Sequence, residues 1–99
     1  MLYTFEWDRT KDNENLRKHR ISFERATEVF RDSLAISVSD EEHSDEEERW
    51  VTIGKDSSGR TLVLVHTFSE VSAGECRIRI ISARKATRRE ARQHEEIER

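Results

Sequence analysis

The chain has 99 residues, 39% of them charged and 33% apolar, with a net charge of -3. That length holds one domain with a small core, taken here as residues 1–99, and the apolar residues recur too regularly for disorder. The acidic balance argues against direct DNA binding, and no window approaches a bilayer-spanning length, so no membrane partner is expected.

The first seven residues lack a basic segment followed by an apolar run, so no signal peptide is expected and the location is read as cytoplasmic. The single cysteine, Cys76, excludes an internal disulfide and fits a reducing compartment. Proline is absent and glycine scarce, so turns must rely on Asp, Asn and Ser.

Residues 2–6 alternate Leu2, Thr4 and Glu6 against Tyr3, Phe5 and Trp7, a short strand with an aromatic face. Asp8 is the expected N-cap of a largely exposed helix from Arg9 to His19. Ser22 caps a second helix whose Phe23, Ala26, Val29 and Phe30 form one apolar stripe, with Ile21 as a staple before the cap. Asp32-Ser33 ends it. Leu34 to Val38 alternates as a half-buried strand, and residues 40–48 form an acidic loop with seven acids in nine positions. Trp50 to Ile53 is the next strand, and Gly54 to Gly59 a turn. Thr61 to Phe68 reads as a central strand buried on both faces, and Ser69 to Glu75 as a polar hairpin loop. Cys76 to Ile81 is the last strand, and a capping box, Thr87-x-x-Glu90, opens the last helix. The order implies an α+β fold: an antiparallel meander of four to five strands, two N-terminal helices packed on one face, and a C-terminal helix.

Charge concentrates near the end of the chain. Seven of the eighteen Lys and Arg residues fall between Arg77 and Arg92. In the last strand Ile78 and Ile80 share one face, while Arg77 and Arg79 share the other with Ile81, the arginines about 7 Å apart. Guanidinium forks are permanently charged and offer paired donors that match phosphate oxygens. The alternatives for this surface are RNA, an acidic partner, or plain solvent.

Several stretches together resemble the BrnT-type toxins. They are Phe5-Glu6-Trp7-Asp8, Asn15-Leu16-Arg17-Lys18-His19, Ser22-Phe23-Glu24, His43-Ser44, Glu47-Glu48-Arg49, Ile53-Gly54, and the long run from Arg77 to Glu90. The resemblance covers about Phe5 to Arg92. It implies a bacterial type II toxin with a RelE-like ribonuclease fold, paired with a BrnA antitoxin that carries a ribbon-helix-helix DNA-binding domain. It also implies a heterotetramer that represses its own operon, so that operator DNA is met only through the antitoxin. Two positions depart from the family pattern. Arg20 stands where glycine is common after the Lys-His pair, and Ser33 where proline commonly follows Asp32.

Metal-free RNA cleavage needs a base for the ribose 2′-hydroxyl, a cation for the charged phosphorane, and an acid for the leaving 5′-oxygen. No Asp/His set has clear metal spacing, so a metal-independent route with no cofactor is expected. Arg77 and Arg79 are the candidate phosphate stabilisers. His66 is a catalytic candidate for proton transfer, provided its side chain shares the arginine face; otherwise it is a half-buried histidine bonded to backbone. His43, among carboxylates, is a candidate proton donor or a solvated loop residue. Arg49, Lys55, Arg84, Lys85, Arg88 and Arg89 are candidate RNA contacts, with the last helix alternatively a surface helix laced by ion pairs. Trp7 and Trp50 either stack on bases or pack the core. The reading is thus an endoribonuclease toxin that inhibits translation and is neutralised by its antitoxin. The rival is a catalytically weak module that holds a ribbon-helix-helix antitoxin and tunes repression.

Overall fold

The computed structural model describes residues 2–43 and 48–97, apart from the side chains of His43 and Ile97. The elements in chain order are β1 (Leu2–Trp7), α1 (Arg9–His19), α2 (Phe23–Ala26) continued by a 3-10 segment (Thr27–Arg31), and β2 (Ile36–Ser39). A short 3-10 turn (Glu41–His43) precedes β3 (Arg49–Lys55), β4 (Thr61–Thr67), β5 (Ser69–Ser72), β6 (Glu75–Lys85) and α3 (Arg88–Ile97). The sheet runs β1-β6-β4-β3-β2, with β5 also paired to β6.

The sheet corrects the expected meander in two ways. It is mixed, because β1 lies parallel to β6. It also has six strands, because residues expected in a hairpin loop form β5, antiparallel to β6 and continuing the line of β4. The register explains the first change. Phe5 pairs with Ile78 and Trp7 with Ile80, so the aromatic face of β1 joins the isoleucine face of β6. Periodicity identifies a strand and its faces but not its neighbour or its direction.

Local signals hold where caps are concerned. The Asp8 carboxylate accepts from Lys11 N at 3.0 Å, and Ser22 Oγ accepts from Arg25 N at 3.1 Å. Arg20 closes α1 in the left-handed region, with φ 61°, and its N–H donates to the Leu16 carbonyl. Asn15 is the one buried residue of α1. Its side-chain amide donates to the carbonyls of Ile21 (2.9 Å) and Ala83 (2.8 Å), and its oxygen accepts from Ala83 N (3.1 Å). Helix, following loop and β6 are thereby tied at one point.

The core gathers Ile21, Phe23, Ala26 and Val29 against Leu62, Leu64, Ile78, Ile80 and Ala83. Ile80 and Ala83 face the same core although three positions apart, which a regular strand forbids. The register shifts between Val65↔Ser82 and His66↔Ile80, so Ile81 is the extra residue of a β-bulge. Ile81 therefore does not simply continue the arginine face, as alternation alone suggests. Gly54 lies where β3 passes the 3-10 segment. A Cβ there would stand 2.7 Å from Val29 Cγ1 and 3.0 Å from Ala35 Cβ, so only glycine lets the two approach.

Candidate functional site

The side chains facing away from this core are positioned by β6 and its neighbours. Arg77 lies across from Thr4 of β1 and Ser69 of β5, all three exposed. Arg79 lies across from Glu6 of β1. On its other side the Arg79 N–H donates to Thr67 Oγ1 at 3.3 Å, and Thr67 pairs with Arg49 of β3. Glu6, Arg79, Thr67 and Arg49 thus form a row across four strands, with Arg77 one step along. Adjacent strands lie about 4.8 Å apart, so Arg49 and Arg79 are separated by roughly 10 Å.

Glu6 is not singled out by its sequence pattern as a neighbour of the arginines. Its carboxylate stands 3.9 Å from Arg77 Nε, with both side chains about half exposed (51% and 50%), and its Cα partner is Arg79. A contact that long and that wet holds neither group firmly, so both remain available to a ligand. The alternation in β1 puts Glu6 on the polar face. Nothing in the sequence says that this face lies beside the arginines, because that follows from the parallel pairing. The arrangement supplies cations for a phosphate and a carboxylate next to them.

The other predicted residues are dispersed. Arg84 faces the same side as Arg79 across the bulge but lies seven residues from Arg77, about 23 Å along the strand. Its guanidinium forks onto Glu90 at 2.8 and 2.9 Å. Those bonds hold the Glu90 carboxyl down at about 2, assisted by the Thr87 N–H, and push the Arg84 pKa up. Arg84 is thus a clasp between β6 and α3, which weakens it as an RNA contact. Lys85, Arg88 and Arg89 are exposed near that clasp, and Lys55 ends β3 there, with Thr61 as its cross-strand partner. His43 falls on a side chain outside the described residues, as do residues 44–47 of the acidic run.

His66 is not on the arginine face, which corrects the expectation that it joins Arg77 and Arg79. It alternates with Leu62 and Leu64, pairs with Ile80, and is 2% exposed. Its Nδ1 lies 2.9 Å from the Thr67 carbonyl and its Nε2 2.6 Å from Thr52 Oγ1. Burial lowers its pKa, partly offset by the Thr67 bond, so the neutral ring is favoured. Both nitrogens are engaged and the sheet stands between them and the arginines, so His66 does not transfer a proton at a phosphate held there. It instead borders a pocket of about 210 Å³ that Trp50 also lines. Trp7 packs edge-on against Phe23.

A mixed sheet with a helix-covered apolar face and a cationic row at one end of the other defines a small α+β protein able to hold an anionic chain. The comparisons agree on what kind. A family described as the ribonuclease toxin, BrnT, of type II toxin-antitoxin systems matches residues 7–90. The chain belongs to that family: it is a BrnT ribonuclease toxin, and an antitoxin is its partner. The crystal structure of the Brucella abortus ribonuclease toxin, BrnT, is similar in fold, with a TM-score of 0.58 and 19% identity over 89% of this chain and 100% of that one. No curated protein matches the chain. Among the described residues no helix is long and apolar enough to cross a membrane.

Proposed function

We propose that this toxin is a metal-independent, RelE-like endoribonuclease acting in the cytoplasm, where it cuts RNA and so inhibits translation. Its antitoxin is proposed to be of the BrnA type, with a ribbon-helix-helix domain that carries the complex to operator DNA. The observation that carries the enzymatic reading is the exposed Arg77 with Glu6 beside it and Arg79 across from Glu6. Arg77 and Arg79 hold the scissile phosphate and neutralise the charge that builds on its oxygens. Glu6 takes the proton of the 2′-hydroxyl, the 2′-oxygen bonds to phosphorus, and the bond to the 5′-oxygen breaks. His43 is the candidate donor to that leaving oxygen. Its loop starts at Asp40, whose N–H donates to the Arg49 carbonyl at 2.8 Å, so the loop begins at the Arg49 end of the row. The products are a 2′,3′-cyclic phosphate and a 5′-hydroxyl.

Arg49, Lys55, Lys85, Arg88 and Arg89 extend the positive surface for backbone contacts that ignore sequence and weaken with salt. The metal-independent route is proposed because Arg77 and Arg79 can supply the cationic charge and Glu6 the base without a metal ion. The test is incubation of purified protein with labelled RNA in excess EDTA. Cleavage should persist and leave cyclic phosphate ends. Cleavage that stops in EDTA and returns with magnesium contradicts this route.

A further inference from the structure

On the helix-covered side of the sheet, the pocket beside His66 has no part in the chemistry above. Its walls are aromatic: Tyr3, Phe30, Trp50 and Phe68. Ser37 and His66 complete its polar lining. We propose that it is a nucleobase subsite for the RNA substrate, an inference that rests on the ribonuclease reading and adds to it.

The argument comes from donors and acceptors. The Thr67 carbonyl only accepts, so His66 Nδ1 carries the proton facing it. In the neutral ring Nε2 must then accept, and it does so from Thr52 Oγ1 at 2.6 Å. Thr52 has spent its proton, so its oxygen accepts from Ser37 Oγ at 2.7 Å. The relay leaves Ser37 with lone pairs at the pocket lining and no proton to offer. Trp50 supplies the opposite character: its Nε1–H is buried with no partner among the described residues. A buried unpaired donor costs about 1–3 kcal/mol, and a ligand acceptor recovers it. The pocket therefore offers an acceptor between aromatic faces, and a donor as well once the Trp50 ring turns to bring its N–H to a ligand. Every nucleobase has a flat face to stack and an edge carrying an acceptor beside a donor. An aliphatic side chain from a protein partner would leave the Trp50 N–H and the Ser37 oxygen unused.

The location also suits an RNA chain. Arg49 and Trp50 are consecutive at the start of β3 and point to opposite faces. An RNA strand crossing that end of the sheet meets Arg49 on one side and the pocket on the other.

The test is titration of the purified toxin with adenosine, guanosine, cytidine and uridine, followed by the two tryptophan indole N–H resonances in NMR. At least one nucleoside should shift Trp50 saturably and leave Trp7 unmoved. Calorimetry should show that Ser37→Ala and Trp50→Phe each weaken that nucleoside about tenfold, as the loss of one buried hydrogen bond implies. Because one variant truncates a strand hydroxyl and the other keeps an aromatic wall, at least one should retain the wild-type melting temperature. No Trp50 shift with any of the four nucleosides, unaltered affinity in both variants, or a Trp50 shift that needs the antitoxin overturns the proposal. A toxin that cuts RNA yet binds no nucleoside sinks the pocket alone. One that binds a nucleoside yet leaves RNA whole sinks the ribonuclease mechanism alone.

Discussion

Arg20 shows how a single residue sets a cost. It sits at φ 61° and ψ 29°, a conformation that glycine reaches without a Cβ penalty. Arg20→Gly should stabilise the protein by about 1 kcal/mol, a rise in melting temperature of roughly 4–8 °C for a domain this size. Thermal unfolding followed by circular dichroism checks it. That position was legible only through the family pattern, in which glycine is common after the Lys-His pair, because glycine is the usual residue of a left-handed helix end. His66 was not. Its strand could be read as buried on both faces, but deciding which face it shares requires the register of β6, and one bulged residue at Ile81 moves that register.

Among the elements, α1 depends on tertiary bonds rather than on its own apolar stripe, since Leu16 is 46% exposed and Asn15 alone is buried. Asn15→Leu keeps the branched shape, with bulkier methyl groups, but leaves the Ala83 N–H and the carbonyls of Ala83 and Ile21 without their partner. The expected loss is about 2–4 kcal/mol, read as a lower urea midpoint at unchanged slope. α3 is fixed differently. Its capping box pairs Thr87 N with Glu90 Oε1 at 2.8 Å and Glu90 N with Thr87 Oγ1 at 3.2 Å, and Arg84 clamps the same carboxylate. The box was visible as a four-residue pattern, while the arginine that closes it was read as an RNA contact. Strands followed the same division. Alternation located β1 and β6, and a nearly continuous apolar run located β4. The parallel partner of β1 depends on contacts about seventy residues away, which no local pattern carries, and β5 was hidden because its polar residues read as a hairpin loop.

For the molecule as a whole, the charged groups predict two separate acid transitions. His66 has a folded pKa below its ordinary 6.5. The unfolded chain therefore binds that proton first, and stability is full above about 6.5 and falls as pH drops through the lowered value. The carboxyls of Glu90, Asp32 and Asp56 are also lowered, so their contribution is present above about 4.5 and lost as pH falls, for Glu90 down to about 2. Melting temperatures recorded from pH 8 to pH 3 should show an upper step that His66→Gln flattens and a lower step that it leaves in place.

The catalytic claim rests on the two guanidiniums of β6 and the carboxylate of β1 meeting on one surface. It is tested most directly by comparing RNA cleavage rates of the wild-type protein, Arg79→Ala and Glu6→Gln at equal fold stability. Each substitution should slow cleavage by at least about 100-fold, the usual effect of removing a group that stabilises charge or transfers a proton in the transition state. Rates within a few-fold of wild type for both would place the chemistry elsewhere on the molecule.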